Sequence, residues 1–225
     1  PSQIKSGKLE DNWLQTALSA IADRQEFVKG LVNVVQGSRS NAYVVNLFEQ
    51  GVHKKVILDA YLPCSPLSGL IFTGTVDGEL WAAVVEKAFA KLLGSYSALR
   101  FGQIKSGLVT LTNCPTFTYD LKDDNSALIL RSLKFFSLIK EWIAKRYVVV
   151  AGTGSFGSIG ESSNGPAHGY SVISYLEIDH SKFPVPNNER ATSRIINLRN
   201  PWGVFEWAGD WSASSPLWTE QIKSY

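Results

Sequence analysis

Apolar residues at Leu9, Trp13, Leu14, Ala17, Leu18, Ile21 and Ala22 recur at helical intervals, which predicts a helix over residues 9–22 with one buried stripe. Asn12 stands where an N-cap can stand, with Gln15 three residues on, so its amide oxygen is placed to accept an orphan donor of the first turn. Residues 41–48 (NAYVVNLF) and 55–62 (KVILDAYL) read as strands, joined through Gln50-Gly51 into a hairpin. Trp81, Val84, Val85, Ala88, Phe89 and Leu92 predict a second helix over about residues 78–93, stopped by Gly94. Between residues 100 and 118 the periodicity lapses and Gly102, Gly107, Asn113 and Pro115 collect, a pattern expected of a loop and domain junction. A third helix is expected from Asn125 or Ser126, carrying Leu128, Leu130, Leu133, Phe136, Ile139, Trp142 and Ile143 and leading into a strand at residues 147–151. Residues 167–178 and 194–198, on either side of a Pro- and Asn-rich turn at 184–188, have the β-branched and aromatic content of strands. Helices that dominate the first half and strands the second favour an α+β fold of two lobes over an alternating α/β one.

Composition narrows the function classes. With 225 residues, 44% of them hydrophobic and 19% charged, the chain can bury enough apolar surface to offset its conformational entropy, which excludes a disordered chain. Its 22 basic and 20 acidic side chains leave a net charge of +2 with no basic block, so nucleic acid has little to grip. Cys64 and Cys114 are too few for a disulfide scaffold or a cysteine-built metal site, and with no charged and apolar leader they point to a reduced, cytoplasmic protein. No apolar run reaches the roughly 18 residues of a membrane span. A chain without methionine that opens abruptly on Pro1 reads as a segment of a longer one.

Two signals invite chemistry. Gly152, Gly154 and Gly157 fit the G-x-G-x-x-G spacing after an apolar strand, with Glu177 twenty residues further on. A dinucleotide loop needs a helix that begins inside the motif, however, and residues 158–166 (SIGESSNGP) cannot sustain one, which leaves a Gly/Ser loop. The histidines His53, His168 and His180 are isolated, without the paired spacing of a zinc site. His53 and His180 lie in polar stretches and read as solvated. His168 begins a strand after a Gly-rich loop, where a general base is often presented, although taken alone it reads first as a structural histidine.

Four segments, in one order, resemble the calpain-type cysteine proteases. Residues 7–22 (GKLEDNWLQTALSAIA) are similar to the helix whose family pattern runs Gln-Gly-x-Leu-Gly-Asp-Cys-Trp-Leu. Residues 79–99 (ELWAAVVEKAFAKLLGSYSAL) resemble the family's Glu-Phe-Trp-x-x-Leu-x-Glu-Lys-Ala-Tyr-Ala-Lys helix, and residues 167–171 (AHGYS) its histidine strand. Residues 195–211 (IINLRNPWGVFEWAGDW) match the Arg-Asn-Pro-Trp-Gly-x-x-Glu-Trp-x-Gly-x-Trp segment nearly position for position. The resemblance spans almost the whole chain. It implies a papain-like, two-lobed α+β fold, with a helical N-terminal lobe at residues 1–114, an antiparallel β-rich lobe at residues 115–225 and a cleft between them.

Carried over by position, the resemblance makes His168 the general base, Asn200 the residue that orients its imidazole and Trp202 the indole that shields the pair from water. The nucleophile position falls on Asn12, whose carboxamide has no thiolate to offer and nothing for a helix dipole to ionise. Ser6 replaces the glutamine that helps to hold the oxyanion and is too short to reach the same point. Glu10 replaces a glycine and brings a carboxylate toward a site that must stabilise negative charge. Trp13, Gly102 and Trp202 would be the peptide contacts. The resemblance also implies two calcium sites. Glu79 matches a ligand of the first, where Gln3 replaces an expected Asp; Glu206 matches one of the second, where Ala213 replaces another. A lost carboxylate weakens calcium binding, so weak Ca2+ or no cofactor is expected. Glu79 reads equally as a helix-start acid and Glu206 as an exposed strand acid.

The expectation is therefore a proteolytically inactive, calpain-like domain, a pseudoprotease, that serves as a protein-binding or scaffolding module of a larger cytoplasmic protein. Its cleft would take an extended peptide as an added strand without cutting it. The alternative is a calcium-dependent cysteine endopeptidase with a non-standard nucleophile, for which Cys114 is the candidate. A third reading is architectural: the outer surface packs against cytoskeletal or multisubunit partners and the cleft is vestigial.

Overall fold

The computed structural model describes residues 3–37, 41–121, 128–129, 134–153, 168–185, 191–201 and 206–224. In chain order its elements are β1 (Ile4–Lys5), α1 (Asn12–Ala22), α2 (Gln25–Val28), β2 (Val32–Val35), β3 (Ala42–Glu49), β4 (Val52–Asp59), β5 (Cys64–Ser65), β6 (Gly69–Leu70) and β7 (Gly74–Thr75). There follow α3 (Trp81–Leu93), a 3-10 helix (Tyr96–Arg100), α4 (Ile104–Thr112), α5 (Lys134–Ala144), β8 (Val150–Gly152), β9 (Gly169–Asp179), β10 (Thr192–Arg199) and α6 (Glu220–Lys223). Helices with antiparallel sheets make the expected α+β class.

The apolar stripe forms as predicted: Leu14, Leu18 and Ile21 are fully buried against a core that includes Val45, Leu47, Val85, Leu99 and Leu108. Two expectations for α1 are corrected. Asp11 rather than Asn12 precedes the first turn, because the Asp11 carbonyl accepts the N–H groups of Leu14 and Gln15 at 2.9 and 3.2 Å; Asn12 is already helical, and no side chain caps the helix. Burial also extends beyond one stripe, to Gln15, Thr16 and Ser19, because the helix lies between the N-terminal core and the sheet of the C-terminal half.

The hairpin forms between β3 and β4, with φ of 51° at Gln50 and 79° at Gly51, the two left-handed residues of a tight turn that matches the twist of its strands. Alternation in β3 and β4 turns Val45, Leu47, Val56 and Leu58 inward. Short β2, which the pattern missed, adds the other edge to give the order β2-β3-β4. Helix α3 ends at left-handed Gly94, as the glycine predicted.

Residues 100–118 are not a continuous loop, and α4 corrects that expectation. Ile104, Leu108 and Leu111 bury one face at helical spacing, and Gly107 lets the helix approach Trp13 and Ala17 so closely that a Cβ there would stand 3.1 Å from Ala17 Cβ. A glycine that reads as a breaker is a packing glycine here. The helix ends at Asn113, with φ of 55°.

In the C-terminal half the strands pair in the order β10-β9-β8, with an irregularity between Asn197 and Leu198. Ile178, Val185 and Ile222 form a second core cluster, flanked by Trp211 and Trp218 packed edge to face. The strand expected at residues 147–151 starts later, at Val150. The expected start of the third helix at Asn125 or Ser126, residues 154–166 of the glycine-rich stretch, and residues 186–188 of the turn lie outside the described residues. No helix among the described residues is long and apolar enough to cross a membrane.

Candidate active-site cleft

One line of side chains along α1 builds the junction of the two halves. Asn12, Thr16, Ser19 and Asp23 follow one another at four-, three- and four-residue spacing, hence on one side of the helix and just past its end. Thr16 abuts Gly169, where a Cβ would fall 2.2 Å from Thr16 Oγ1. The Ser171 hydroxyl donates to Ser19 Oγ at 3.3 Å. Past the helix, Arg199 Nη1 donates to Asp23 Oδ2 at 2.8 Å. Two residues of β9 and one of β10 thus dock on this line, and Asn12 occupies its upper end, one turn from Thr16.

His168 immediately precedes Gly169 and is held by Thr153, whose N–H donates to the His168 carbonyl at 2.8 Å and whose hydroxyl accepts the His168 N–H at 3.3 Å. The register of β9 with β10 pairs Ser171 with Arg199, so His168 and Asn200 stand at the same end of adjacent strands, both half-buried. The strand register and the Gly169–Thr16 contact thus set His168 and Asn200 at the end of β9 and β10 that lies toward the start of α1, where Asn12 stands. Trp202 lies outside the described residues.

Three residues at or just before the start of α1 have their polar groups engaged or enclosed as follows. Asn12 accepts the Thr16 hydroxyl with its backbone oxygen at 2.8 Å, and its side-chain Oδ1 is buried without a hydrogen bond among the described residues. A carboxamide oxygen is not a nucleophile at any accessible pH. The Ser6 hydroxyl donates to Gln15 Oε1 at 2.7 Å while Gln15 Nε2 donates to Asp11 Oδ1 at 2.6 Å. Glu10 adopts φ of 63° and its carboxylate accepts from Arg100 Nη2 at 3.0 Å, so it strains a backbone position that suits glycine.

Trp13 corrects the expectation of a surface contact. Its side is covered by Phe89, its indole N–H donates to the Leu99 carbonyl at 2.7 Å, and only 7% of the residue is exposed. It acts from beneath: Gly102 lies flat on the indole, where a Cβ would be 2.2 Å from Cε2, and it is Gly102 that is exposed. Cys114, the alternative nucleophile, is exposed beyond α4, its thiol donating to the Thr112 carbonyl at 3.5 Å. Its neighbour Asn113 reaches toward Gly51 at the tip of the β3–β4 hairpin.

Of the residues aligned with calcium ligands, Glu79 sits exposed before α3 and its backbone carbonyl accepts the Thr75 hydroxyl at 3.0 Å. Glu206 is exposed in the segment that follows β10. Among the described residues no three His, Cys, Asp or Glu side chains converge as a metal site would require. Sequence reasoning missed Gly169 and Thr16, the contact that seats the histidine strand on α1. The glycine directly after His168 was the available signal.

The pattern of the calpain family of cysteine proteases matches residues 1–224. The chain is 31% identical over 99% of its length to the calpain-type cysteine protease DEK1 of Arabidopsis thaliana, of which it covers 10%. It is 30% identical over 94% of its length to human calpain-14, of which it covers 29%, and 29% identical over 96% to the human calpain-1 catalytic subunit, of which it also covers 29%. The chain therefore spans about a tenth of the plant relative and under a third of the human ones.

Proposed function

This chain belongs to the calpain family of cysteine proteases, and from that premise we propose that it is a proteolytically inactive member whose domain binds protein within a larger, cytoplasmic polypeptide. The observation that carries this reading is Asn12, which stands where the calpain resemblance puts the nucleophile, at the start of the helix on which the His168 strand is seated. Three independent features support it. Asn12 has no ionisable atom, Ser6 spends its hydroxyl on Gln15, and Glu10 puts a carboxylate, paired with Arg100, at a left-handed position where the resemblance expects glycine. Loss of the nucleophile alone lowers turnover on the order of a millionfold, and a damaged oxyanion hole leaves little residual rate.

In this reading His168 and Asn200 are a remnant base and its orienting partner, Trp202 remains their shield, and Gly102 over Trp13 is the exposed backbone against which an extended peptide would pair. Calcium is bound weakly or not at all, since Gln3 and Ala213 stand where carboxylates are expected beside Glu79 and Glu206. A peptide-library selection on the 225-residue chain tests the proposal. Saturable binding lost on Gly102→Val is expected, and absence of any saturable binder would overturn it.

A further inference from the structure

We propose that Asp11 and Glu86 share one proton in the folded protein, and that its release is an alkaline switch on the turn that presents position 12. The geometry that carries this is burial of both carboxyls with too few donors between them. Asp11 is 0% exposed, Glu86 1% and Thr73 0%. The Thr73 N–H donates to both Glu86 oxygens, at 3.1 and 3.2 Å, and Gln15 donates to Asp11 Oδ1 at 2.6 Å. The Asp11 and Glu86 carboxyls lie within hydrogen-bonding reach of each other, Asp11 Oδ2 is buried without a donor, and Thr73 Oγ1 is likewise buried without a partner among the described residues. Two carboxylate oxygens cannot face each other in a buried contact without a proton between them.

The polar groups that face the pair come from four elements and from the 3-10 helix. The segment before α1 supplies Ser6, which reaches only Gln15; α1 supplies Asp11 and Gln15; residues 71–75 supply Thr73; α3 supplies Glu86. Lys87, next to Glu86, is turned away to Asp59 at 2.7 Å, and no lysine or arginine pairs with either carboxyl among the described residues. From the 3-10 helix comes Tyr96, whose hydroxyl is held protonated by burial first and then by the Glu86 charge. Burial, followed by the Asp11 charge, pushes Glu86 up to about 8, and burial raises Asp11 as well. The positive end of α1 favours the charge on Asp11, so the proton resides on Glu86 and is donated to Asp11 Oδ2, which fills the vacant acceptor.

The folded chain thus keeps a proton that the unfolded chain has lost. The unfolding constant rises by up to about tenfold per pH unit from the ordinary glutamate value of 4.5 to about 8, and levels off beyond it. Above that pH two negative charges stand directly behind Asn12, and the bonds from Leu14 and Gln15 to the Asp11 carbonyl are the first to be strained.

Urea unfolding of the 225-residue chain across this range should show that slope, and Glu86→Gln, which can still donate to Asp11, should lose it. An unchanged slope in E86Q overturns the proposal. Independently of any variant, the infrared band of a protonated carboxyl, assigned by isotope labelling of glutamate, should persist at neutral pH and vanish around pH 8. Its absence at neutral pH overturns the shared proton. Amide exchange at Trp13, Leu14 and Gln15, corrected for intrinsic base catalysis, should lose protection as the band disappears, and constant protection overturns the switch.

Discussion

On one side of the seam stand Asn12, Ser6 and Glu10, where the calpain resemblance leads one to expect Cys, Gln and Gly; on the other stand His168 and Asn200, which the resemblance makes base and orienting residue and which lie at the same end of adjacent strands. The altered side is nevertheless the more tightly built. Asn12 heads a helix whose residues from Trp13 to Ala22 are all buried, and the line Thr16, Ser19 and Asp23 seats the unaltered side on it. The scaffold that presents position 12 is therefore independent of the chemistry at position 12. The packing against Gly169 requires a small residue there whether or not a thiol lies one turn away.

That contrast is broken most forcibly by rebuilding the altered wall. Asn12→Cys alone should turn over a fluorogenic peptide about 10²–10³ times more slowly than the combined N12C, S6Q and E10G variant, because it still lacks the oxyanion donor. Equal rates would place the block at position 12 alone. The seam itself is next. Gly169→Ala drives a Cβ into Thr16 and should lower stability by about 1–3 kcal/mol in urea unfolding, with Thr16→Ala restoring part of the loss. A smaller effect is expected from Asp23→Asn, which removes a partly exposed ion pair with Arg199 and should cost about 0.2–1 kcal/mol by the same measurement. Smallest is Glu10→Gly. It gives up an exposed pair with Arg100 but relieves a φ of 63°, so stability should stay within about 1 kcal/mol of the parent.

Much of the scaffold was legible in the sequence because periodicity reports burial. The α1 stripe, the α3 stripe with its Gly94 stop and the turn at Gln50-Gly51 formed as the pattern indicated, although the second hairpin strand runs over Val52–Asp59 rather than 55–62 and α3 begins at Trp81 rather than near residue 78. Helix α4 was hidden because Gly107 carries two meanings, breaker and close-packing residue, which only the neighbour Trp13 distinguishes. The polar side of α1 was hidden for a related reason: Thr16 and Ser19 look solvated until a second sheet covers them. Glu86 lies off the apolar stripe of α3, and nothing local in the sequence reveals that residues 71–75 fold over it. The cleft residues Asn12, His168 and Asn200 were reached through motif resemblance, since spacing alone does not bring together positions so distant in the chain.

The central claim is lack of proteolysis, and it is tested most directly by assaying the 225-residue chain on casein, with and without calcium, beside His168→Ala. The account predicts that the two proteins are indistinguishable, at background, under both conditions. Calcium-stimulated hydrolysis that His168→Ala abolishes would contradict it.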